Sequence, residues 1–179
     1  MCVLAHPDDE SLGMGGALAK YAAEGVETYV VTATKGERGR SGSKEPLTPE
    51  AVGRLRDAEL RAAAAELGVR EVNLLGYCDG ELDQANPTEA IGRIVAQLRR
   101  VKPQVVLTFA PDGAYGHPDH VAICQFTTAA VVCAADPDYQ LPDYPAPHRV
   151  SKLYYLAWRA DKWAAYQAAL RKLMIVVDG

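Results

Sequence analysis

The sequence predicts an α/β fold, a doubly wound, mostly parallel sheet of Rossmann-like type in three layers. Short β-branched runs alternate with longer segments of helical period, which is the pattern of a parallel sheet covered on both faces. The 179 residues, 49% of them hydrophobic, match one ordinary domain with a real core. No stretch along the chain has the composition of a linker. We therefore expect one domain over residues 1–179.

Local signals predict the elements of the first half in order. Residues 3–5 read as the end of a short first strand, and a helix over about residues 11–23 is expected to stop at Gly25. The β-branched run at residues 26–33 predicts the second strand. After a loop rich in glycine and cations, Thr48 can cap a helix and Pro49 suits its first turn, so this helix runs to residue 67.

The second half continues the alternation. Residues 71–75 predict the third strand, and Asn86 followed by Pro87 marks the start of a helix that ends near residue 101. A fourth strand, a further helix and two last strands follow, at residues 105–110, 118–134, 151–158 and 173–177. The chain stops directly after that last run, so we expect that C-terminal residues of the domain are missing or dispensable.

Charge and composition restrict the class of partner and the compartment. The chain has 19 Lys and Arg against 23 Asp and Glu, and this net charge of −4 gives no basic field for nucleic acid or anionic lipid. A small-molecule partner is expected instead. Apolar runs are far shorter than the roughly 20 residues of a membrane span. The N-terminus lacks a secretory signal and the 4 cysteines form no C-x-x-C pair, which predicts free thiols and a cytoplasmic protein.

Histidines are concentrated in two copies of one motif. His6 and His117 each begin a His-Pro-Asp tripeptide that follows a predicted strand, and His120 follows the second copy. In an open α/β sheet, ligands bind at the carboxyl ends of the strands where the connections diverge. We therefore expect the first and fourth strands to be adjacent, with both motifs facing one crevice.

The side chains of these motifs suit a divalent metal ion. His6 and Asp9 lie at one strand-to-helix turn and His120 enters from the second loop, and two imidazoles with one carboxylate suit Zn²⁺ while leaving a position for water. Another divalent metal is compatible with the same donors. Asp8 would then be free to act as a base. The alternative is that Asp8, Asp9 and Glu10 merely complement a helix N-terminus.

Both motifs, with several others, resemble those of a known family. The matching segments are His6-Pro7-Asp8-Asp9-Glu10, Thr34-x-Gly36-Glu37-x-Gly39, Arg56-x-x-Glu59 with Leu67-Gly68, Gly76-Tyr77-x-Asp79 and Tyr115-Gly116-His117-Pro118-Asp119-His120. Together they resemble the PIG-L/LmbE-type deacetylases, and the resemblance covers residues 3 to about 158. These enzymes are metal-dependent N-deacetylases of small molecules that contain N-acetylglucosamine. The resemblance implies an LmbE-like fold and a hydrolase that removes an acetyl group from an N-acetyl-sugar conjugate.

The resemblance also implies roles for individual residues. His6, Asp9 and His120 would be the zinc ligands, Asp8 the general base, and His117 with Tyr115 would lie near the oxyanion. Asp119 would orient or charge His117, while Arg56 and Asp79 match positions that contact the sugar. For these last two, the residues alone leave other interpretations open: a helical cation paired with Glu59 for Arg56, and a turn residue before Gly80 for Asp79. A homo-oligomer is consistent with bacterial members of the family.

Other functions are weighed against this one. The run Gly13-x-Gly15-Gly16 is reminiscent of a dinucleotide site, but Leu18 stands where the third glycine is needed and acidic residues would repel a pyrophosphate. A non-catalytic sugar-binding or regulatory protein on the same fold, and a hydrolase of another amide, stay open. The family usually has other residues at Cys78 and at Gly80-Glu81, which leaves the identity of the substrate open.

Overall fold

The centre of the molecule is a five-stranded sheet in which every neighbouring pair is parallel. The computed structural model describes residues 1–40, 42, 46–141, 143, 146–157, 161 and 163–169. The strand order is β3-β2-β1-β4-β5. The strands are β1 (Cys2–Leu4), β2 (Tyr29–Thr34), β3 (Glu71–Tyr77), β4 (Val105–Phe109) and β5 (Lys152–Leu156). The expected contact between the first and fourth strands is confirmed, and it is the point where the strand order reverses.

Helices cover the two faces of this sheet. Because parallel crossovers are right-handed, the helices between β1, β2 and β3 lie on one face, and those that follow β3 and β4 lie on the other. On that second face α4 packs against α6, and α6 also contacts β1 and β4. The helices are α1 (Asp9–Leu12), α2 (Gly15–Ala23), α3 (Pro49–Glu66), α4 (Pro87–Val101), the short turn α5 (Gly113–Gly116) and α6 (Pro118–Ala135). The predicted doubly wound α/β class is confirmed.

The predicted helix starts at Thr48 and Asn86 are also confirmed. The Thr48 hydroxyl accepts a hydrogen bond from the Ala51 N–H at 3.3 Å, and the Asn86 side chain accepts two backbone N–H bonds at 3.0 and 3.2 Å. Each cap satisfies donors that a helix N-terminus would otherwise leave unpaired.

Three element boundaries differ from the sequence prediction. The helix expected over residues 11–23 is two helices, with a break at Gly13, where an added Cβ would lie 2.9 Å from Leu156 of β5. The second strand begins at Tyr29 because the Val26 N–H donates to the Tyr21 carbonyl at 2.9 Å and so caps α2. The third strand extends to residue 77. The sixth strand expected at residues 173–177 lies outside the described residues, as does the end of the fifth at residue 158.

One hydrophobic core includes buried residues of the sheet, of α2 and α3 on one face and of α4 and α6 on the other. Fully buried side chains there include Val3, Ile94, Leu98 and Ile123. Burying each side chain of this size stabilises the fold by about 1.5–3 kcal/mol. The first turn of α6 is buried in the same core, and this packing fixes the positions of its polar side chains Asp119 and His120.

Within the described residues, no helix is long and apolar enough to cross a membrane.

Candidate active site

The two His-Pro-Asp motifs meet at the carboxyl ends of β1 and β4, at the point where the strand order reverses. A pocket of about 390 Å³ opens there. It is lined by side chains from both motifs, from the loops after β2 and β3, and from α3; these include His6, Asp8, Asp9, Arg38, Arg56, Asp79, Tyr115 and His117. This is the crevice where ligands bind in open α/β sheets.

Three donor side chains converge beside this pocket. His6 Nδ1 lies 3.2 Å from His120 Nε2 and 3.8 Å from Asp9 Oδ2, and His120 Nε2 lies 3.5 Å from Asp9 Oδ1. Four ligands at about 2.0–2.1 Å from a tetrahedral Zn²⁺ are separated from one another by about 3.3–3.4 Å. The three separations are close to this spacing, with the two Asp9 distances measured to different carboxylate oxygens, so these residues fit a divalent ion bound between them.

Each histidine of this group uses its other ring nitrogen to fix its orientation. His6 Nε2 lies 2.9 Å from Asp119 Oδ2 and 3.1 Å from Asp79 Oδ1, so it donates a proton there and its Nδ1 is directed at the other donors. His120 Nδ1 lies 3.3 Å from the Gly113 carbonyl, which leaves Nε2 as the free acceptor. A carboxylate or carbonyl behind a ligating histidine is the usual support of a metal site.

The charges of the three groups are strongly coupled. Burial alone would lower the pKa of His6, but its bonds to Asp119 and Asp79 outweigh burial and raise the pKa to about 10. Burial, helped by the charge on His6, lowers the pKa of His120 to about 3. Burial raises the pKa of Asp9 to about 7. Such displaced pKa values in one crevice are typical of a functional site.

The acidic residues that follow His6 have different hydrogen-bond partners. The buried Asp9 carboxylate accepts the backbone N–H groups of Ala5 at 3.2 Å and His6 at 2.8 Å, which holds it beside the two imidazoles. The buried Glu10 carboxylate accepts the Asp8 N–H at 2.9 Å at the start of α1. The interpretation that all three residues serve the helix N-terminus therefore applies to Glu10 and not to Asp9.

Asp8 has a strained backbone and a side chain directed at the pocket. Its φ of 111° is rare for a residue other than glycine, and such conformations cluster at functional sites. No cap hydrogen bond forms from its side chain, which is 49% exposed and accepts a 2.8 Å hydrogen bond from Arg56 Nη2. The geometry therefore leaves this carboxylate open to a ligand in the pocket.

Arg56 reaches this point from α3 along a path bordered by two glycines. A Cβ at Gly36 would lie 2.9 Å from its Nε, and one at Gly39 would lie 2.7 Å from its Nη1. Its guanidinium, 15% exposed, donates to Asp8 and to the Pro7 carbonyl. Arg56 therefore points at the pocket. Its partners are Pro7 and Asp8, not Glu59 on α3 as in the alternative interpretation.

His117 and Tyr115 complete the wall on the β4 side. His117 Nδ1 accepts the Asp119 N–H at 3.2 Å, so the neutral ring carries its proton on Nε2. Burial and the charge on His6 lower the pKa of His117. The Tyr115 ring lies 5.9 Å from that of His117, and burial together with the charge of Asp9 raises its pKa to about 12. Both residues therefore offer a hydrogen-bond donor at neutral pH.

The structure gives Asp119 a different partner from the one the resemblance implied. Its carboxylate, 0% exposed, binds His6 Nε2 and the backbone N–H groups of Gly80 at 2.7 Å and Leu82 at 3.1 Å. Only its own backbone N–H bonds to His117. Asp119 therefore orients the proposed ligand His6, and its carboxylate influences the His117 ring by charge alone.

Asp79 joins the loops after β2 and β3 to the donor group. Its carboxylate lies against His6 and accepts the Arg38 N–H at 3.0 Å, while its own N–H donates to Glu37 Oε1 at 3.0 Å. Asp79 also precedes Gly80, whose φ is 75°, so it occupies the turn that the alternative interpretation named. Sequence reasoning missed the backbone donors of Gly80 and Leu82, because an amide N–H carries no signal in the residue type.

Known proteins match the part of the chain that contains both motifs. A family model described as PIG-L, GlcNAc-PI de-N-acetylase, matches residues 1–131. A 1D-myo-inositol 2-acetamido-2-deoxy-alpha-D-glucopyranoside deacetylase from Streptomyces avermitilis is 40% identical in an alignment 176 positions long, and the alignment covers 87% of this chain and 60% of that protein. The chain thus spans about 60% of the length of the curated relatives it matches first.

Solved structures share the fold. GalB, the 4-carboxy-2-hydroxymuconate hydratase from Pseudomonas putida KT2440, is 27% identical with a TM-score of 0.74, over 86% of this chain and 63% of that one. The N,N'-diacetylchitobiose deacetylase from Pyrococcus horikoshii is 24% identical with a TM-score of 0.79, over 96% of this chain and 75% of that one. Because a hydratase and a deacetylase both have this fold, the reaction must be argued from the site.

Proposed function

Because this chain belongs to the PIG-L family of GlcNAc-PI de-N-acetylases, we propose that it is a metal-dependent hydrolase that removes the acetyl group from a small molecule containing N-acetylglucosamine. The observation that carries the proposal is the convergence of His6 Nδ1, the Asp9 carboxylate and His120 Nε2 beside Asp8. The curated relative at 40% identity, a deacetylase of an acetamido sugar, supports the substrate class.

We propose Zn²⁺ as the metal, held by His6, Asp9 and His120. A set of two imidazoles and one carboxylate is a common catalytic zinc set with one position left for water or substrate. When bound, the ion supplies a Lewis acid that lowers the pKa of water and polarises a carbonyl. Another divalent ion with the same preference for nitrogen and oxygen donors would serve the same chemistry.

The side chains around the pocket divide the proton transfers of amide hydrolysis. Asp8 accepts the proton of the attacking water, and its hydrogen bond from Arg56 holds the carboxylate in place for this task. His117, neutral with its proton on Nε2, and Tyr115, protonated because of its raised pKa, donate hydrogen bonds to the developing oxyanion. Asp8, which then carries the proton taken from water, protonates the departing amine, since an amide nitrogen leaves poorly without a proton.

The polar wall of the pocket, formed by Arg56 and Asp79, suits the hydroxyl groups of a sugar. We propose that Arg56, besides its hydrogen bond to Asp8, contacts the sugar. Its guanidinium lines the pocket, and its buried Nε lacks a hydrogen-bond partner among the described residues. Asp79 lines the same wall, although its carboxylate is largely engaged by His6 and Arg38. Its contribution to sugar binding is therefore smaller than that of Arg56.

Two measurements test this proposal together. Metal analysis of the purified protein should give about one divalent ion per chain, and acetate should be released from N-acetylglucosamine conjugates. Asp9→Ala and His120→Ala should lose metal and activity, whereas Asp83→Ala, an exposed carboxylate change, should keep both. Wild-type metal content in both site variants would refute the ligand assignment.

The other functions predict different outcomes of the same assay. A non-catalytic sugar-binding protein would bind the conjugates without releasing acetate. A hydrolase of another amide would hold the metal but leave every N-acetyl sugar intact. A hydratase would add water to an unsaturated acid and release no acetate.

We also propose a cytoplasmic location. Cys2, Cys78, Cys124 and Cys133 are all free thiols, which is the usual state in a reducing compartment. A homo-oligomer stays a prediction, which the mass of the protein in solution would test.

A further inference from the structure

Tyr115 lies on a short loop with an unusual backbone. Gly113, Ala114 and Gly116 have φ values of 63°, 66° and 82°, and such a φ at Ala114 is rare for a residue with a side chain. The turn is closed by the Gly116 N–H, which donates to the Asp112 carbonyl at 3.0 Å. The backbone thus fixes where Tyr115 leaves the chain. Its ring, 51% exposed, depends on side-chain contacts for its orientation.

Three aromatic rings supply those contacts. The Tyr115 ring centroid lies 5.2 Å from that of His120 at 69° and 5.9 Å from that of His117 at 84°, so both are edge contacts. The contact with Trp163 is stacked instead: the Tyr115 and Trp163 rings are parallel to within 6°, with their centroids 5.9 Å apart. Trp163 is also stacked on Tyr166 at 5.8 Å and 19°. Residues 163–169 are helical, so this stack rests on a regular element.

We propose that Trp163 is a positioning residue for Tyr115. Its indole holds the phenol ring in one orientation, so that the hydroxyl group points where the oxyanion develops. The proposal rests on the proposed function, in which Tyr115 donates a hydrogen bond to that oxyanion. In this role Trp163 acts through the ring of Tyr115. The segment after β5 therefore contributes to catalysis through a ring that the two sequence motifs do not contain.

The first test is a double-mutant cycle on acetate release. The loss of one aromatic pair of this kind corresponds to about a 2- to 10-fold change in an equilibrium or a rate. Trp163→Ala should therefore lower kcat by about that factor. KM should change less than twofold, roughly, because the polar wall is intact. Trp163→Phe should restore most of kcat. In a Tyr115→Phe background, which lacks the hydroxyl group, Trp163→Ala should have no further effect.

The second test needs no enzymatic activity. Trp158 and Trp163 are the 2 tryptophans of the chain, so a Trp158→Phe background leaves Trp163 as the fluorescent reporter. Tyr115→Leu should change the intensity and wavelength of its emission, because the stacked phenol is lost. Tyr21→Leu, a matched change at another exposed tyrosine on α2, should leave the emission unchanged.

Three results would overturn the proposal. Equal losses from Trp163→Ala with and without the Tyr115 hydroxyl would mean that Trp163 acts elsewhere. A rise in KM with unchanged kcat would make Trp163 a substrate contact. Emission that ignores Tyr115→Leu would mean that the rings do not stack in solution. If the wild type releases no acetate, the proposed function is wrong and the positioning role with it, while the emission still decides whether the stack exists.

Discussion

Replacing Asp119 with asparagine separates two roles that this carboxylate could have. Asn keeps the size and shape of the side chain but removes its charge and one acceptor. If the carboxylate orients His6, the change should weaken metal binding and the fold. If it acts through His117 instead, the change should lower turnover and leave metal affinity as it was.

The structure gives the size of the expected effects. The two carboxylate oxygens accept three N–H groups: Oδ2 takes His6 Nε2 and Gly80, and Oδ1 takes Leu82. An asparagine with its oxygen toward His6 turns its NH₂ group toward the Leu82 N–H, so at least one buried donor loses its acceptor. That costs about 1–3 kcal/mol of the free energy of unfolding. Loss of the carboxylate behind a metal-binding histidine lowers metal affinity by roughly 10- to 100-fold.

Urea unfolding and competition with a chromogenic zinc chelator would measure these two quantities. Asp83→Asn is the matched control, because it removes the same charge at an exposed position. If Asp119→Asn has the stability and zinc affinity of this control, the carboxylate does not orient His6. A fall in kcat alone would then show that the carboxylate serves His117.

Three further predictions concern the base, a surface ion pair and the thiols. Asp8→Asn should lower turnover by roughly 10²- to 10⁴-fold at matched zinc content, since it removes the base and asparagine tolerates a positive φ. Glu71→Gln should cost at most about 1 kcal/mol near pH 7, since its two bonds to Arg100 are solvent-exposed. Arg100 lowers the pKa of Glu71, so urea midpoints of the two proteins should converge as the pH falls through that lowered value. At pH 8 a thiol reagent should label the exposed Cys78 and leave Cys2, because burial raises the pKa of Cys2 to about 11.

Each of these predictions has a result that contradicts it. Equal turnover of wild type and Asp8→Asn would exclude Asp8 as the base. A stability difference at Glu71 that persists in strong acid would show that the ion pair is not its cause. Rapid labelling of Cys2 in the folded protein would mean that the first strand opens readily.

The sequence determined the fold class and the chemical identity of the donor group. Alternating β-branched and helical segments favour a covered parallel sheet, and the caps at Thr48 and Asn86 act over three residues of chain, so local sequence indicates both. The donors of His6, Asp9 and His120 were also predictable as one group. Their side chains follow strand ends, and parallel strands present those ends at one edge of the sheet.

Only the tertiary structure decided which partner each of these groups has. Asp119 lies two residues from His117 along the chain, yet its carboxylate binds His6 and the backbone of Gly80, which come from distant segments. Likewise, the stack of Trp163 on Tyr115 joins two segments with no shared pattern. The physical reason is that a hydrogen bond or a ring contact depends on distance and angle in space. A residue type specifies what a side chain can donate or accept, and packing of the whole chain selects the group that receives it.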